Sequence, residues 1–538
     1  MKRITLIILL ALAAYAAQAQ TIYDALLFSE RNYEGTARSV AMGNAFTALG
    51  GDLGSIVLNP AGSAVAGYSQ FSITPSLSFT ANTTHGVLPP DNNGILPYFE
   101  KTYRNRTTGF SIPNFGLTLN YETGRKSGLK SVTFGFITSQ TNNWDEDVYA
   151  AGINRETSFM GAMAYEATMN GLYGSNLNMN NAYDYDPWKY VVGYQSGMIS
   201  TYGGYDDAFV GASEVIFDND GNTEIALGGP IKQTYGKRVR GKKNDYLFNL
   251  GFNISDFVYL GANLGLTSMY YSYNDYFREE AEDPSDFEIH LDNGGTLYFD
   301  QMKYKYTYDV ETTGVYGKFG IIVTPGFGLR FGAAIQTPTA STIEESWQMK
   351  GSTSYTDNSY NASADSPVGD DRYSFSEPWR ANFGIAYTLG KIAAFSVDYE
   401  MCDYRCMKFK SGTFDDSRDY FDGLNDDIRQ TFGKSKMLRA GVEVKPFDLL
   451  AIRAGYGMTT SPQVGVPASQ NASFGLGFIS KKSFYADIAC RYAFATDEYI
   501  MPYDDYIFDA NDNVIAYVPE ILNRKDAWKV LLTFGWRF

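Results

Sequence analysis

The last eleven residues of the chain alternate strictly between two kinds of side chain. Large apolar residues fill every second position, namely Trp528, Val530, Leu532, Phe534, Trp536 and Phe538. The positions between them are Lys529, Leu531, Thr533, Gly535 and Arg537. Successive side chains of a strand point to opposite faces, so this segment is predicted to be a strand with an apolar and a mostly polar face. We expect the apolar face to meet lipid and the other face to meet water.

The N-terminus predicts a secretory signal peptide over residues 1–19. Lys2 and Arg3 precede an apolar run from Ile4 to Ala14, and Ala17-Gln18-Ala19 has the pattern of a cleavage site. We expect the mature chain to begin near Gln20. The rest of the sequence contains no run of about 20 apolar residues, the length of a membrane-spanning helix. A closed barrel is the remaining way to cross a bilayer, because its strand pairing satisfies every backbone polar group.

Period-2 alternation recurs along the chain and predicts fourteen strands. The segments are 70–81, 114–122, 131–139, 245–255, 258–272, 302–323, 327–337, 376–389, 391–401, 436–445, 449–458, 472–479, 483–494 and 526–538. Short turns such as Asp256-Phe257 and Gly390 follow the even-numbered strands. Odd-numbered strands are followed by long insertions, which include 140–244, 338–375, 402–435 and 495–525.

This alternation of connection lengths is typical of bacterial outer-membrane barrels, which have an even number of strands, short periplasmic turns and long extracellular loops. We therefore predict an all-β fold, a 14-stranded antiparallel transmembrane β-barrel over residues 69–538, whose largest loop is 140–244. Helices are predicted in two loops, over 157–169 and 421–432. A soluble sandwich with one solvated sheet face would explain a single strand equally well, but not fourteen strands together with a signal peptide.

Charged residues recur on one face of the predicted strands. A lipid-facing Arg or Lys at the bilayer midplane costs about 2 to 4 kcal/mol, so these residues are expected to line a wet lumen. The arginines among them could bind a ligand carboxylate, or they could pair with the inward Asp and Glu residues and brace the barrel, which is the interpretation we favour. The candidates are Arg330, Asp398, Glu400, Arg439, Glu443, Arg453, Asp487, Arg491 and Arg537.

Residues 20–68 precede the first strand and have a different character. They are rich in Ala and Gly and do not alternate. Ala41 to Leu49 is predicted to be a short helix that Gly50 and Gly51 end, since Gly readily takes the left-handed cap conformation. Asn59-Pro60 then predicts an extended residue before a rigid turn. A compact segment placed before the first strand could fold into the lumen and close it as a hatch.

Several short motifs occur in order along residues 20–68, namely Ala37-Arg38, Met42-Gly43-Asn44-Ala45-Phe46, Gly50-Gly51-Asp52 and Asn59-Pro60-Ala61-Gly62. With these motifs, this part of the chain resembles a known family, the outer-membrane transporters for long-chain fatty acids and hydrocarbons of the FadL/TodX type. Further along the chain, Phe331 to Thr339 and Val397 to Glu400 also look like strands of the family.

The resemblance implies a hatch inside a fourteen-stranded barrel, capture of hydrophobic small molecules by extracellular loops, and release sideways through a gap in the wall into outer-membrane lipid. The hatch motif would comprise Gly50, Gly51 and Asp52 with Asn59, Pro60 and Ala61. It also implies that a terminal strand ending in Phe538 is recognised by the barrel-assembly machinery. The resemblance does not place the wall gap. Pro75 removes a ladder donor from the first strand and is one candidate, but a kink without any opening fits Pro75 equally well.

Other chemistry is weakly supported. Neither histidine, His85 or His290, lies in a Ser or Asp arrangement typical of a hydrolase, so no enzyme and no cofactor is predicted. Asp218 to Asn222 resembles part of a calcium loop, but such clusters are foremost turn formers, so no metal is predicted. Cys402, Cys406 and Cys490 are expected to be unpaired thiols.

The net charge of -16 argues against nucleic acid or acidic lipid head groups as general partners. Two alternatives to transport of hydrophobic molecules stay open. One is a surface adhesion or assembly barrel that binds protein or glycan through its large Tyr-rich loops. The other is a general porin.

Overall fold

The structure is a computed structural model. It describes residues 20–87, 98–219, 222–291, 294–410, 418–480, 483–509 and 513–538. The predicted signal peptide, residues 1–19, lies outside the described residues. Among the described residues, no helix is long and apolar enough to cross a membrane.

Fourteen antiparallel strands form a closed barrel, as the alternation predicted. Each strand pairs with its neighbours in sequence, and the last strand pairs with the first from Gln70 and Arg537 onward. The strands are β1 Gln70–Gly86, β2 Tyr103–Glu122, β3 Leu129–Asn143 continued by Glu146–Asn154, β4 Ile231–Ile254, β5 Val258–Ala281, β6 Thr296–Gly326, β7 Leu329–Gln336 continued by Ala340–Tyr355, β8 Gly369–Ser376 continued by Arg380–Leu389, β9 Ala393–Asp403, β10 Lys434–Phe447, β11 Leu450–Thr459, β12 Ser469–Ile479, β13 Phe484–Ile500 and β14 Ile521–Arg537.

The two faces of the barrel wall differ as the sequence predicted. Outward positions hold large apolar side chains that are about half exposed, such as Phe134, Phe319 and Ile385, and together they form an apolar belt. Successive strand residues alternate between the two faces, and the inward positions hold small, polar and charged residues. The chain ends meet at the short-turn end, where Ser69 and Phe538 exchange backbone hydrogen bonds. We call the opposite end, which carries the long loops, the upper end.

Several strands continue well above the apolar belt. The segment predicted as the loop 140–244 is largely strand at both ends, because Glu146–Asn154 pairs with the upper half of β4 from Val239 to Ile231. The loop proper spans only residues 155–230. The prediction of its bounds was wrong because the apolar alternation stops at the top of the belt, whereas the backbone pairing goes on with polar side chains.

Residues 20–67 lie inside the barrel, and we call them the luminal segment. It contains four short helices, α1 Ile22–Ser29, α2 Ala37–Ala41, α3 Ser55–Leu58 and α4 Gly62–Val65. The helix predicted over Ala41 to Leu49 was wrong, because α2 ends at Ala41 and turns follow it. Gly43 and Asn44 both have positive φ, at 62° and 57°, a conformation that cannot continue a right-handed helix.

Residues 155–230 fold over the upper end of the barrel, and we call them the cap. Its helices are α5 Phe159–Met169, α6 Gly174–Leu177 and α7 Trp188–Gln195, and the first agrees with the predicted helix 157–169. The cap is held by a large apolar cluster that includes Phe159, Met163 and Tyr190 and reaches down to Phe277 of β5. A further helix, α8 Arg418–Thr431, lies in the loop after β9, where 421–432 was predicted helical.

The remaining elements are small. In the described part of the chain, three 3-10 turns span Ala182–Asp184, Pro284–Asp286 and Tyr404–Cys406. Three short strands pair with the upper parts of barrel strands, namely Glu288–His290, Ala362–Asp365 and Lys408–Lys410. The other short strands are Ile199–Thr201, Phe209–Gly211, Glu214–Asn219, Asn222–Leu227, Ile507–Phe508 and Val514–Ala516. The three cysteines are free thiols.

Candidate functional site

A belt of glycines on the inner wall faces the luminal segment. They stand on nine of the strands, and a Cβ added to any of them would come within 3.0 Å of an atom of the luminal segment. The wall therefore lets the luminal segment approach at backbone distance. These glycines are Gly116, Gly251, Gly261, Gly320, Gly332, Gly384, Gly441, Gly455 and Gly475.

Two glycines show how closely the belt lets the luminal segment approach the wall. A Cβ on Gly332 would overlap the carbonyl oxygen of Thr47, and one on Gly455 would overlap the backbone of Gly43. Neither neighbour is the flexible end of a side chain, so neither could move away without shifting the luminal segment itself. Sequence reasoning missed this belt. The available signal was the recurrence of glycine at inward positions of consecutive strands.

The predicted hatch motif lies at the centre of the luminal segment. The Asn59 side chain donates to the carbonyl of Thr47 at 2.7 Å and to that of Ile321 in the wall at 3.1 Å, while its Oδ1 accepts from the backbone of Ala61 at 3.1 Å. Asn59 thus joins two parts of the segment to β6. The Pro60 carbonyl accepts from Asn249 of β4 at 3.0 Å.

The Gly50-Gly51-Asp52 part of the motif forms a turn. Gly50 and Gly51 both have positive φ, at 60° and 74°, which a residue with a side chain adopts only with strain. The Asp52 carboxylate accepts from the hydroxyl of Thr36 at 2.7 Å and from the backbone of Gly54 at 2.8 Å. Asp52 therefore ties the start of α2 to the turn.

Ion pairs join the luminal segment to the wall. Arg31 pairs with Asp245 of β4 at 2.7 Å, and Arg38 donates two hydrogen bonds to Glu443 of β10, at 2.9 and 3.0 Å. Glu34 pairs with Arg491 at 2.9 Å and with Lys529. Burial alone would raise the pKa of Glu34, but these two cations outweigh it and hold the pKa below its usual range.

The nine charged residues proposed as lumen-facing all have partners within the protein. Six of them contact the luminal segment directly: Arg330 donates to the Leu49 carbonyl at 2.6 Å, Asp398 accepts from the Thr47 backbone at 2.7 Å, Arg491 and Glu443 form the pairs just described, Glu400 accepts from the Tyr33 hydroxyl at 3.2 Å, and Arg439 lies 5.6 Å from the Tyr33 ring. Along the wall, Glu400 pairs with Arg439 at 3.3 Å, and Arg453 pairs with Glu443 and Asp487, both at 2.6 Å. Arg537 lies 5.0 Å from the ring of Tyr68, just after the luminal segment.

Further buried charges were missed from the sequence. Arg31, in the luminal segment, lies in no alternating pattern. Lys318 of β6 donates to the Val57 carbonyl at 2.8 Å, and Lys243 of β4 pairs with Glu377 at 2.9 Å. Arg380 of β8 pairs with Glu400 at 3.3 Å and donates to the Ser29 carbonyl. The wall residues among them stand at inward positions of their strands, so strand parity could have found those that lie within the predicted strands.

The backbone ladder between β2 and β3 is interrupted. Their pairs run from Glu122 and Ser131 only as far as Asn114 and Ser139. Above this point the described residues show no backbone pairing between the two strands, although β2 continues upward to Tyr103. We call this unpaired stretch the wall slot.

The slot arises because β3 bends into the lumen. A register shift between Gln140 and Asn142 inserts an extra residue into its pairing with β4. The luminal segment occupies the bend: Asn32 donates its backbone N–H to the Thr141 carbonyl at 2.6 Å, and Glu34 donates to the Gln140 carbonyl at 3.0 Å.

Side chains bridge the slot. Asp147, in the upper part of β3, accepts from Thr107 of β2 at 2.9 Å and pairs with Arg238 and Arg240 of β4 at 3.1 and 2.7 Å. Lys242 of β4 donates to the Phe110 carbonyl of β2 at 3.2 Å. The slot is closed by these polar contacts rather than by a strand ladder.

Pro75, the candidate wall gap from the sequence, does not mark the slot. The pairing of β1 with β2 shifts register between Thr74 and Ser76, which is a bulge. Pairing resumes on both sides of Pro75 and continues with β2 and β14 alike. The missing donor is therefore accommodated within a continuous ladder.

An aromatic cluster fills the lumen above the glycine belt, and we call it the aromatic chamber. Its centre is α1, whose Ile22, Ala25 and Phe28 are buried against inward residues of β5 to β9 and against α8. Phe28 and Phe375 are in edge contact with ring centroids 5.6 Å apart. The chamber extends sideways to Trp144, which lies between the two parts of β3 and packs on Tyr271 at 5.7 Å. The aromatic chamber thus reaches the wall slot.

No metal centre is found among the described residues, since they contain no group of three or more metal-ligating side chains. The side chains of the calcium-like stretch, Asp218 to Asn222, lie outside the described part of the chain.

Neither a protein-family model nor a curated protein sequence matches the chain significantly. Solved structures do match. The toluene transporter TodX of P. putida superposes with a TM-score of 0.51 at 12% identity, over 94% of this chain and 99% of TodX. A FadL homologue of Pseudomonas aeruginosa gives 0.49 at 11% identity, and the toluene transporter TbuX of Ralstonia pickettii gives 0.46 at 14%, each over 94% of this chain and 99% of theirs.

At such identity the match to TodX establishes the fold and not the activity. It agrees with the resemblance that the hatch-like motifs carry. The chain therefore has the fold of the FadL/TodX type, a closed fourteen-stranded barrel with an N-terminal segment in its lumen.

Proposed function

We propose that the protein is a transporter of the bacterial outer membrane for hydrophobic small molecules, such as long-chain fatty acids or hydrocarbons. The apolar belt and the fold shared with TodX support the membrane location. The observation that carries the transport proposal is the continuity between the aromatic chamber and the wall slot at Trp144.

The proposed route begins at the loops of the upper end and passes through the aromatic chamber. An apolar molecule gains free energy by leaving water for such a cluster. At Trp144 it would turn sideways through the wall slot into outer-membrane lipid, so it would not cross the water below. The luminal segment blocks the direct path along the barrel axis.

In this proposal the luminal segment acts as the hatch. Asn32 and Glu34 hold the bend of β3 that forms the slot, so a shift of the luminal segment changes the slot as well. Ligand in the aromatic chamber would displace α1, which belongs to the same segment. Recognition of Phe538 by the barrel-assembly machinery stays a prediction from the sequence.

Cross-linking the slot tests the route. With Cys402, Cys406 and Cys490 replaced, Thr107→Cys and Asp147→Cys would place two thiols across the slot, to be joined by a short bifunctional reagent. Uptake of labelled long-chain fatty acid and of labelled toluene by cells is measured before and after cross-linking. We expect cross-linking to abolish selective uptake.

The matched control is the pair Leu117→Cys and Phe136→Cys, which face each other where β2 and β3 are already joined by backbone pairing. Cross-linking there should leave uptake unchanged. Full uptake with the slot cross-linked would contradict lateral release.

Deleting residues 21–62 tests the hatch. We expect this variant to lose selective uptake and to give a steady ionic conductance in planar bilayers, whereas the full chain is closed. Unchanged selective uptake without any leak would count against a hatch. A steady conductance of the full chain would favour the porin alternative, and a soluble partner that protects the cap from protease would favour adhesion.

A further inference from the structure

The outer wall carries a cluster of basic residues above the apolar belt, on β4 to β6. Arg238, Arg278, Lys303 and Lys305 all occupy outward positions. Their strands are in register, so that Lys305 faces Tyr276 across the β5–β6 pair and Lys303 faces Arg278. The four cations therefore surround one aromatic ring, that of Tyr276.

The ring of Tyr276 is held flat against the wall. Gly236 of β4 lies directly opposite Tyr276, and a Cβ at this glycine would overlap the ring. The ammonium group of Lys303 lies over the ring, 5.5 Å from its centroid. Because Gly236 leaves room for the ring, Tyr276 offers a flat apolar face between cations.

Two of the four cations have no acidic partner in the described part of the chain. Arg238 pairs with Asp147 at 3.1 Å, and Arg278 pairs with Glu280 at 2.8 Å. Neither Lys303 nor Lys305 has a described carboxylate within ion-pairing distance. The cluster is thus net positive on a chain whose overall charge is -16.

Two adjoining pockets meet at Tyr276. One, of about 580 Å³, contains Arg278 and Lys303, and the other, of about 460 Å³, contains Arg238 and Lys305. The rest of their lining is rich in hydroxyl and amide groups, and the smaller pocket also contains the carboxylates of Asp147 and Asp275. These polar residues include Asn105, Asn274, Gln301, Ser352, Thr353, Asn361 and Ser363.

The height of the cluster limits what can reach it. Apart from Ala262 and Ser268, the outward residues of β5 are large and apolar up to Tyr270, and Tyr276 lies six residues further along the strand. At about 3.3 Å per residue and a tilt of about 45°, that is roughly 14 Å above the belt. Asp309 and Glu311 occupy outward positions of β6 nearer the belt and would repel phosphates at that level. The cluster therefore faces the sugar layer above the lipid.

We propose that this groove binds the acidic core sugars of lipopolysaccharide, the glycolipid of the outer leaflet, on the outside of the barrel. The inference rests on the outer-membrane location in the proposed function. Phosphate and carboxylate groups of the sugars pair with Lys303, Lys305, Arg238 and Arg278 through charge-assisted hydrogen bonds. Sugar rings pack on the face of Tyr276, and the surrounding hydroxyl and amide groups bind the sugar hydroxyls.

Binding of a delipidated, phosphorylated core oligosaccharide to the full chain in detergent tests the proposal. The same oligosaccharide after removal of its phosphates is the comparison ligand. We expect the phosphorylated form to bind, and the double variant Lys303→Gln, Lys305→Gln to raise its dissociation constant about tenfold. Tyr276→Ala should weaken binding of both forms, because the ring contacts sugar rather than phosphate.

The matched control is Lys434→Gln with Lys436→Gln, two outward lysines of β10 on the other side of the barrel. This control should leave binding unchanged. Equal weakening by both double variants would show general charge attraction and overturn the site, as would equal binding of both oligosaccharides. Because the assay needs neither a bilayer nor uptake, its failure is distinct from a failure of the transport proposal.

Discussion

The luminal segment and the cap both close the barrel, but they are held in different ways. The luminal segment packs against glycines of the barrel wall. It is held there by buried ion pairs and by wall side chains that donate hydrogen bonds to its carbonyls. The cap is held by an apolar cluster and by the buried Glu279 carboxylate of β5, which accepts hydrogen bonds from Ser158 and Phe159. Its described ion pair, Lys189 with Glu166, is partly exposed. Several buried ion pairs fix one position, whereas apolar packing tolerates rearrangement. We therefore expect precise closure from the luminal segment and more adaptability in the cap.

The largest loss of stability is expected when one partner of a buried ion pair is removed. Glu400→Ala leaves Arg380 and Arg439 without their shared carboxylate, and both arginine side chains are only 3% exposed. Removing one partner of a buried pair costs about 3 to 5 kcal/mol. The free energy of unfolding, measured by guanidinium titration in detergent, should fall by that amount.

The control for this prediction is Glu344→Ala, which removes an exposed pair with Arg372 at 3.3 Å. Exposed pairs contribute at most about 1 kcal/mol, so little change is expected. Equal losses from the two variants would mean that the buried network does not distinguish the lumen from the outer surface.

A smaller effect on stability, but a specific one on closure, is expected from Gly332→Val. The new side chain would overlap the Thr47 carbonyl and displace the luminal segment, at a cost of about 1 to 3 kcal/mol. We expect a steady conductance in planar bilayers that the original chain lacks. Gly317→Val is the control, since a Cβ there meets its nearest atom only at 3.7 Å. A closed Gly332→Val barrel would show that the glycine belt is not needed for closure.

The smallest effect concerns the pH dependence of the cap. Burial, reinforced by the nearby carboxylate of Glu279, raises the pKa of Glu214 from 4.5 to about 7, and Gly211 and Tyr506 donate to it. A raised carboxyl pKa means that the folded cap favours the protonated form. Its stabilising contribution is therefore complete below pH 4.5 and is lost as the pH rises to about 7.

Cleavage of the cap by a protease active over a wide pH range should accordingly speed up between pH 5 and pH 8. Glu214→Gln keeps a neutral side chain of the same shape, so its cleavage rate should depend less on pH, with Glu279 as the remaining titrating neighbour. Identical pH profiles for the two proteins would show that Glu214 does not control the cap.

The number of strands could be predicted because lipid imposes a strict alternation on each crossing, as in residues 327–336 and 484–494. The same alternation predicted that charged residues such as Arg453 and Asp487 point into the lumen. The wall slot could not be predicted, since it depends on which strands fail to pair. The sequence feature that accompanies the slot is the run Ser139 to Asn143, five polar residues that interrupt the alternation of β3.

The predicted helix over Ala41 to Leu49 failed for a different reason. Composition favoured a helix, but the segment lies against backbone at Gly441 and Gly455, where a helix with its side chains would not fit. Tertiary contact therefore overrode local preference. The ends of the long strands, such as β5 up to Ala281, were missed because polar residues above the belt carry no alternation of hydrophobicity.

The glycine belt also determines the shape of the passage once the luminal segment moves. Nine inward positions without side chains widen the bore at the level that the luminal segment now fills. Even a modest tilt of the segment would open a wide crevice lined by peptide groups, which water would enter at once. The proposed sideways exit lies above that level and would keep an oily cargo away from the hydrated crevice.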